Sequence, residues 1–334
     1  MSPLSEQLQK RQAAAEIACA EGKGPLYSQG LNTYRVPLAL HALNRARLVQ
    51  ALLAGEGGDA PPRGVILLQG GAQPTRHDTD HEPIFRQESY FHWAFGVADA
   101  GAYGAISLPD GAAALFVPRH GLGHEIVCGK DPGLEETRAR YGVERVLPEA
   151  DLAAFVARAL APDDGARLFL LSGRNTDSGE VAAAATYDGL ERHRARVDAA
   201  RLFPALAEAR ARKTPAEVEV MRYASWASSA AHVAVMRYVA PGRMEYQLEA
   251  LFRHWTYAEG GCRLMSYTPI CASGPNPAIL HYGHAGRPND RMLEDGDMVL
   301  LDMGAEYHCY ASDITSRCVP PGMAATTISP SGVA

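Results

Sequence analysis

The segment from Met298 to Ser316 reads Met-Val-Leu-Leu-Asp-Met-Gly-Ala-Glu-Tyr-His-Cys-Tyr-Ala-Ser-Asp-Ile-Thr-Ser and carries two notable aspartates. Asp302 ends an apolar run, and Asp313 ends an aromatic-rich run further on. An unpaired charge at the end of a core strand is costly. Two such acids close together need a compensating charge, which a metal ion commonly supplies. Oxygen ligands of this kind suit hard ions such as manganese or magnesium.

The two runs, Met298–Met303 and Tyr307–Ala311, are typical of a hairpin that turns near Ala305 and Glu306. A two-residue turn would pair Asp302 with Cys309 and place Asp302 on the same face as Asp313. The sequence does not fix this register. A solvated pair of acids is the alternative interpretation, but the buried-strand character of Val299–Leu301 favours a metal site.

The bulk composition indicates a soluble, globular chain of two domains. It has 334 residues, of which 47% are hydrophobic and 21% charged. A net charge of -6 argues against nucleic acid as a partner, because phosphate binding needs a basic face. The sequence contains neither an apolar run long enough for a membrane span nor the apolar core of a signal peptide. The six cysteines lack paired spacing, so we expect reduced thiols in the cytoplasm.

Alternating strand and helix patterns indicate an α/β or α+β first domain. Helical spacing appears in Leu38–Leu53 and Leu152–Leu160, and strand patterns appear in Gly64–Gln69, Tyr90–Val97, Ala105–Leu108, Ala113–Val117 and Arg167–Leu171. Residues 1–25 are rich in Ala and Glu, and we interpret them as a loosely attached N-terminal extension.

A second domain begins near Arg212 with a strong helix start. Thr214 can cap the helix, Pro215 suits its first position, and Glu217 completes a capping box. This helix is predicted to end near Tyr238, and a second helix to cover Glu245–Glu259. Further strand patterns occur in Ser266–Cys271 and Ala278–Tyr282.

Several long motifs resemble the eukaryotic Xaa-Pro dipeptidase (prolidase) family. They are Phe85–Val97, Asn175–Gly179, Leu280–Gly286 with Pro288–Asp290, Asp302–Gly304 and Ala311–Thr315. The resemblance extends from about Leu26 to Arg317. It implies a creatinase/prolidase-type α/β domain over residues 26–205, followed by the first half of a pita-bread metallopeptidase domain over residues 206–318.

The resemblance also implies the site residues and the cofactor. The family holds two metal ions, usually Mn2+, with the ligands Asp, Asp, His, Glu and Glu in chain order. Asp302 matches the first ligand, and Asp313 matches the second, which bridges the two ions. His281 matches a histidine that positions or stabilises the reacting group, and Tyr267 is expected to line the substrate pocket. The implied substrate is a dipeptide Xaa-Pro, and the implied assembly is a homodimer.

The resemblance stops after Arg317, and residues 319–334 form a divergent tail. The family's remaining His and Glu ligands lie in a second half that is not present in these 334 residues. We therefore expect the chain as written to be inactive as a peptidase. Two alternatives remain open: a non-catalytic dimerisation or regulatory product, and an exopeptidase similar to aminopeptidase P.

Two histidine-containing segments of the first domain are interpreted as separate from the catalytic metals. His120-Gly-Leu-Gly-His124 spells the string that carries the family's histidine ligand, but it lies in the first domain. His77-Asp-Thr-Asp-His81 is typical of a polar loop. We expect neither segment to complete the site at Asp302 and Asp313.

Overall fold

A computed structural model describes residues 3–54, 62–161, 163–283 and 289–319. The chain forms two compact units, one of residues 1–27 and 35–217, and the other of residues 28–34 and 218–334. The His284–Pro288 part of one family motif and the tail from residue 320 lie outside the described residues. The structure is mixed α/β, as the sequence predicts.

The first unit contains eight strands and seven helices among its described residues. The strands are β1 Leu26–Tyr27, β2 Val36–Pro37, β3 Gly64–Gln69, β4 Tyr103–Leu108, β5 Ala113–Val117, β6 Arg145–Pro148, β7 Arg167–Leu170 and β8 Val197–Asp198. The helices are α1 Pro3–Glu21, α2 Ala39–Ala54, α3 Ser89–Phe95, α4 Leu122–Cys128, α5 Leu134–Tyr141, α6 Leu152–Leu160 and α7 Leu202–Ala211.

Six of these strands form one mixed sheet in the order β6-β5-β4-β3-β7-β8. Strand β3 lies at its centre, antiparallel to β4 and parallel to β7. Side chains alternate along β3, so that Ile66 and Leu68 enter one core cluster while Val65 and Leu67 enter another. The sheet is therefore covered on both faces, which explains the continuous apolar sequence of β3.

Helix α1 differs from the loosely attached extension expected of residues 1–25. Leu8 and Ala15 are 3% and 5% exposed, and Leu8 belongs to the core cluster that includes α2. An ion pair also joins Arg11 to Glu144. Leu8 and Ala15 thus attach α1 to the first unit, which the overall composition of the segment does not reveal.

The strand predicted at Tyr90–Val97 is wrong, because the segment forms the helix α3. The Glu88 carboxylate accepts a hydrogen bond from the Phe91 backbone N–H at 2.7 Å, and Gly96 ends the helix with φ at 67°. Five of its seven residues are buried, so no polar face reveals a helical period. The predicted capping box at Thr214 and Glu217 is confirmed, with bonds of 2.7 and 3.2 Å.

The second unit combines helices with two three-stranded sheets. Its elements are α8 Pro215–Tyr238 from Val218 onward, α9 Glu245–Ala258, β9 Leu264–Met265, β10 Ile270–Ser273, β11 Val299–Asp302, β12 Ala305–Tyr307, β13 Tyr310–Ala311 and β14 Thr315–Cys318. The sheets have the orders β10-β11-β14 and β13-β12-β9. The strand predicted at Ala278–Tyr282 is wrong, since a 3-10 turn at Asn276–Ala278 leads into further turns.

The predicted hairpin also has the wrong register. Strand β11 pairs with β10 and β14, so that Asp302 lies opposite Ile270 and Thr315 rather than Cys309. The two-residue turn lies instead between β12 and β13, where His308 and Cys309 have φ angles of 48° and 59°. Positive φ at both central residues is characteristic of a type I′ turn, although neither residue is glycine.

None of the described helices is both long and apolar enough to cross a membrane.

Two buried histidines in the first unit make its stability dependent on pH. The rings of His41 and His92 lie 5.4 Å apart edge to face, and both side chains are almost fully buried. Burial lowers the pKa of His92 from 6.5 to about 4, and burial together with His92 lowers that of His41 well below its usual value. Below pH 6.5 the unfolded chain therefore binds protons that the folded chain rejects.

We predict that the free energy of unfolding is highest above pH 6.5 and falls as the pH approaches 4. His92 alone should account for a loss of about 2 kcal/mol between about pH 7.5 and pH 5. The change His92→Gln should remove that share of the pH dependence, and His254→Gln, at an exposed position on α9, should leave it unchanged. Urea unfolding followed by tryptophan fluorescence provides the measurement. An equal pH dependence in His92→Gln and the unaltered chain would contradict the prediction.

Candidate metal centre

The two aspartates are brought together by a close crossing of the backbone at Gly304. A Cβ atom at this position would lie 1.9 Å from the carbonyl oxygen of Ser312, so only glycine fits. Ser312 is fixed there by hydrogen bonds, since its Oγ lies 3.1 Å from the Ala305 N–H and 2.8 Å from Ser228 Oγ. The crossing places Gly304, two residues after Asp302, beside Ser312, the residue before Asp313.

The strands on either side of the crossing set the direction of the two carboxylates. Asp302 is the last residue of β11, and the Met303 N–H donates to the Ile314 carbonyl at 3.1 Å, which continues the pairing with β14. Asp313 lies shortly before β14, the strand that pairs with β11. Asp302 is half-buried, and Asp313 is exposed. Sequence analysis expected the two acids to be neighbours, and the structure achieves this through β14 rather than through a hairpin.

Tyr267 connects the two carboxylates. Its hydroxyl lies 2.5 Å from Asp302 Oδ1 and 3.1 Å from Asp313 Oδ1, so that one proton is directed at two acids. Burial, together with the hydrogen bond and negative charge of Asp302 and those of Asp313, raises the pKa of Tyr267 far above its usual value. The tyrosine therefore stays protonated and acts as a donor at neutral pH.

The donor set fits a divalent cation. Two carboxylate oxygens converge on one hydroxyl, and the ion pairs among the described residues include neither Asp302 nor Asp313. Oxygen-only donors of this kind suit hard ions. In the described part of the chain, no third His, Cys, Asp or Glu joins these two in a group whose ligand atoms lie within 4.8 Å of one another. Their role as metal ligands therefore stays a prediction.

Comparisons with known proteins agree with this centre. Residues 219–326 match the model for metallopeptidase family M24, and residues 41–169 match the aminopeptidase P N-terminal domain. The Xaa-Pro dipeptidase of Homo sapiens is 45% identical over 296 residues, which is 89% of this chain and 58% of the human protein. The chain is a homologue of the Xaa-Pro dipeptidases.

Two further relatives show how far the likeness extends. A probable Xaa-Pro aminopeptidase of Pyricularia oryzae is 34% identical over 77% of this chain and 47% of its own length. The solved structure of aminopeptidase PepP from Pseudomonas aeruginosa superposes with a TM-score of 0.67 at 28% identity, covering 86% of this chain and 62% of that one. The expected pairing of an aminopeptidase P-type N-terminal domain with a pita-bread metallopeptidase domain is confirmed. This chain spans less than two thirds of the relatives it matches.

His232 is a residue beside this M24 centre that sequence analysis did not identify. Its Nε2 lies 2.9 Å from the Met303 carbonyl and its Nδ1 lies 3.0 Å from Ser316 Oγ. Burial is the main cause that lowers its pKa, so the ring is neutral, with Nε2–H donating and Nδ1 accepting. His232 thereby ties α8 to both β11 and β14. It lies in the middle of a helical pattern, where a histidine on the buried face gives no distinct signal.

Glu245 was also missed, and it organises the loop that follows β10. It is fully buried at the first position of α9. Its carboxylate accepts hydrogen bonds from the Ser273 N–H and Oγ, Asn276 Nδ2, the Tyr282 hydroxyl and the Arg291 N–H, at 2.6 to 3.1 Å. These donors lie on both sides of His281, so this one carboxylate anchors both ends of the loop. An acid in the first helical turn is common, and the sequence does not reveal that this one is buried.

His281 lies on the exposed turn that Glu245 anchors. It does not join Asp302 and Asp313 in a group of three ligand atoms within 4.8 Å. Its predicted role near the reacting group therefore stays a prediction. Tyr267 was predicted to line a substrate pocket, and the structure shows it hydrogen-bonded to both candidate ligands.

We predict that Gly304→Ala disrupts the centre. The added methyl group would meet the Ser312 carbonyl, so the crossing must open, at a cost of about 3 kcal/mol. Urea unfolding measures the stability, and Mn2+ titration should show weaker binding. Gly123→Ala is the control, because no atom lies within 4 Å of its added Cβ and alanine suits the helix α4. Equal stability of the two variants would show that the crossing is not a constraint.

Proposed function

We propose that this protein is a manganese-dependent dipeptidase that cleaves Xaa-Pro dipeptides, with Asp302 and Asp313 as two of its metal ligands. The observation that carries the proposal is the pair of carboxylates sharing the Tyr267 hydroxyl in an M24 domain. The similarity to the Xaa-Pro dipeptidases of Homo sapiens and Rattus norvegicus supports the substrate class.

The chain's own residues have distinct parts in this proposal. Asp302 and Asp313 hold the cations from one side, and their all-oxygen chemistry favours manganese over softer ions. When bound, the ions would supply a water of lowered pKa and polarise the scissile carbonyl. Tyr267, released from its two acceptors, retains a protonated hydroxyl that can donate to the substrate. Gly304 and His232 keep the two acids in register.

A dipeptidase is favoured over an aminopeptidase by the comparisons of sequence. Identity is 45% to the Xaa-Pro dipeptidase of Homo sapiens and 34% to the probable Xaa-Pro aminopeptidase of Pyricularia oryzae. We also propose His281 as a substrate-positioning residue, since the loop that carries it is anchored by Glu245 in the same unit.

The proposal also covers the cellular environment and the oligomeric state of the protein. All six cysteines lie within the described residues and none of them forms a disulfide bond, which supports a reducing, cytoplasmic environment. We propose a homodimer whose contacts come from the aminopeptidase P-type N-terminal domain.

We predict that a version of the chain extended through the second half of the metallopeptidase domain hydrolyses Gly-Pro in the presence of Mn2+ and that Asp313→Asn lowers its kcat/KM on the order of a hundredfold or more. Loss of one carboxylate removes both a ligand charge and the geometry that it imposes. Asp295→Asn, at an exposed carboxylate of the same unit, is the matched control and should retain full activity. Proline release measures the rate.

Three outcomes would contradict this proposal. Unchanged activity in Asp313→Asn would remove that residue from the centre. Faster cleavage of Gly-Pro-Ala than of Gly-Pro would identify an aminopeptidase instead. Absence of hydrolysis in the complete, folded, manganese-loaded protein would exclude both peptidase assignments and favour a non-catalytic interaction partner.

We further predict that residues 1–334 expressed alone do not hydrolyse Gly-Pro. After Asp313 the sequence contains no Asp, Glu or His, so the two aspartates gain no ligand from that segment. Isothermal titration should show weak Mn2+ binding, because two carboxylates leave most coordination positions to water. Hydrolysis that disappears in Asp302→Ala, or two tightly bound manganese ions in the chain, would prove this prediction wrong.

A further inference from the structure

A second group of metal-ligand side chains lies in the first unit, on the segment between β5 and α5. His120, His124 and Asp131 place one ligand atom each within 4.8 Å of the other two. It is the one such group of three in the described part of the chain. None of its members belongs to the M24 domain, and Asp302 and Asp313 play no part in it.

The backbone around the group is held in place without an ion. The Asp131 carboxylate accepts a hydrogen bond from the His120 backbone N–H at 2.7 Å, and its other oxygen lies 2.9 Å from His120 Nδ1. Arg119 Nη1 donates to the Pro132 carbonyl at 2.6 Å, and this bond joins the same two segments of the loop. Residues 119 and 120 are thus fixed against residues 131 and 132.

The second histidine is brought in by helix α4. Gly121 is the N-cap of that helix, so His124 lies in its first turn and faces back toward His120. The two imidazole rings stack with centroids 3.9 Å apart and planes inclined by 21°. The ligand atoms of a tetrahedral zinc ion are about 3.3 Å apart, which follows from Zn–N distances of 2.0–2.1 Å. The three ligand atoms are thus close enough to serve a single ion, provided that the imidazole rings rotate out of their stacked arrangement so that each nitrogen lone pair points at it.

The chemistry of the donors selects the ion. Two imidazole nitrogens and one carboxylate oxygen suit zinc and related late first-row divalent ions, whereas manganese prefers all-oxygen sites. In the ion-free state His120 Nδ1 and an Asp131 oxygen lie within hydrogen-bond distance of each other. A zinc ion would be bound through an unprotonated ring nitrogen of each histidine. The group is exposed except for Asp131, which gives the ion free access and leaves one position for water.

We propose that His120, His124 and Asp131 form a zinc-binding site in the N-terminal domain, separate from the centre at Asp302 and Asp313. Binding would close the segment between β5 and α4 onto the residues that precede α5. Helix α4 buries none of its residues, so it has little packing of its own to hold it in place. A bound zinc ion would supply the missing constraint.

The test is zinc binding by the full chain in the Asp302→Asn/Asp313→Asn background, which removes the other candidate ligands. We expect one zinc ion per chain in competition with a chromophoric chelator. Both His120→Ala and His124→Ala should weaken binding on the order of tenfold or more, because each removes one of three ligands. His254→Ala removes an exposed histidine elsewhere and should not change binding.

A spectroscopic measurement keeps the test independent of the variants' folding. X-ray absorption at the zinc edge of the unsubstituted chain with one equivalent of zinc should show two imidazole ligands with additional oxygen. Zinc bound as tightly in His124→Ala as in the background protein would overturn the proposal. So would zinc binding that vanishes in Asp302→Asn/Asp313→Asn, or a zinc spectrum without imidazole ligands.

Discussion

The contact between Gly304 and the Ser312 carbonyl is the constraint on which the candidate catalytic centre depends. Two antiparallel segments come so close there that a single added carbon would lie 1.9 Å from an oxygen. Ser312 and Ser228 fasten the crossing by hydrogen bonds, and His232 ties both segments to α8. Asp302 and Asp313 therefore meet through rigid backbone rather than through flexible side chains, which is the condition for a preorganised ligand pair.

The acidic side chains of the second unit differ in the number of hydrogen bonds that their carboxylates accept. The buried Glu245 carboxylate receives five hydrogen bonds, which saturate the lone pairs of a carboxylate. Such a group has no capacity left for a ligand, and its role is to hold the loop. Asp302 and Asp313 share a single tyrosine hydroxyl. Their remaining capacity is what a cation can use, so the number of hydrogen bonds received separates the structural acid from the two candidate ligands.

The sequence predicted those features whose causes are local. The capping box at Thr214 and Glu217 and the apolar strand Gly64–Gln69 depend on a few neighbouring residues, and both are confirmed. Helix α3 was predicted as a strand because burial on all sides removed its helical period. The predicted register of Asp302 was wrong for a different reason. Its neighbours across the sheet are Ile270, on a strand distant in sequence, and Thr315, on a strand beyond the expected turn. Glu245 and His232 were missed because their roles exist only after folding.

The string His120-Gly-Leu-Gly-His124 shows why a motif needs its structural context. Its letters coincide with a ligand motif of the resembled family, yet the chain places it in the aminopeptidase P-type domain. There its geometry depends on Asp131 and on the start of α4, neither of which the string contains. Ligand chemistry separates it further, because imidazoles and a single carboxylate favour a different ion from two carboxylates. The fold, not the string, therefore determines which residues can act together on one ion.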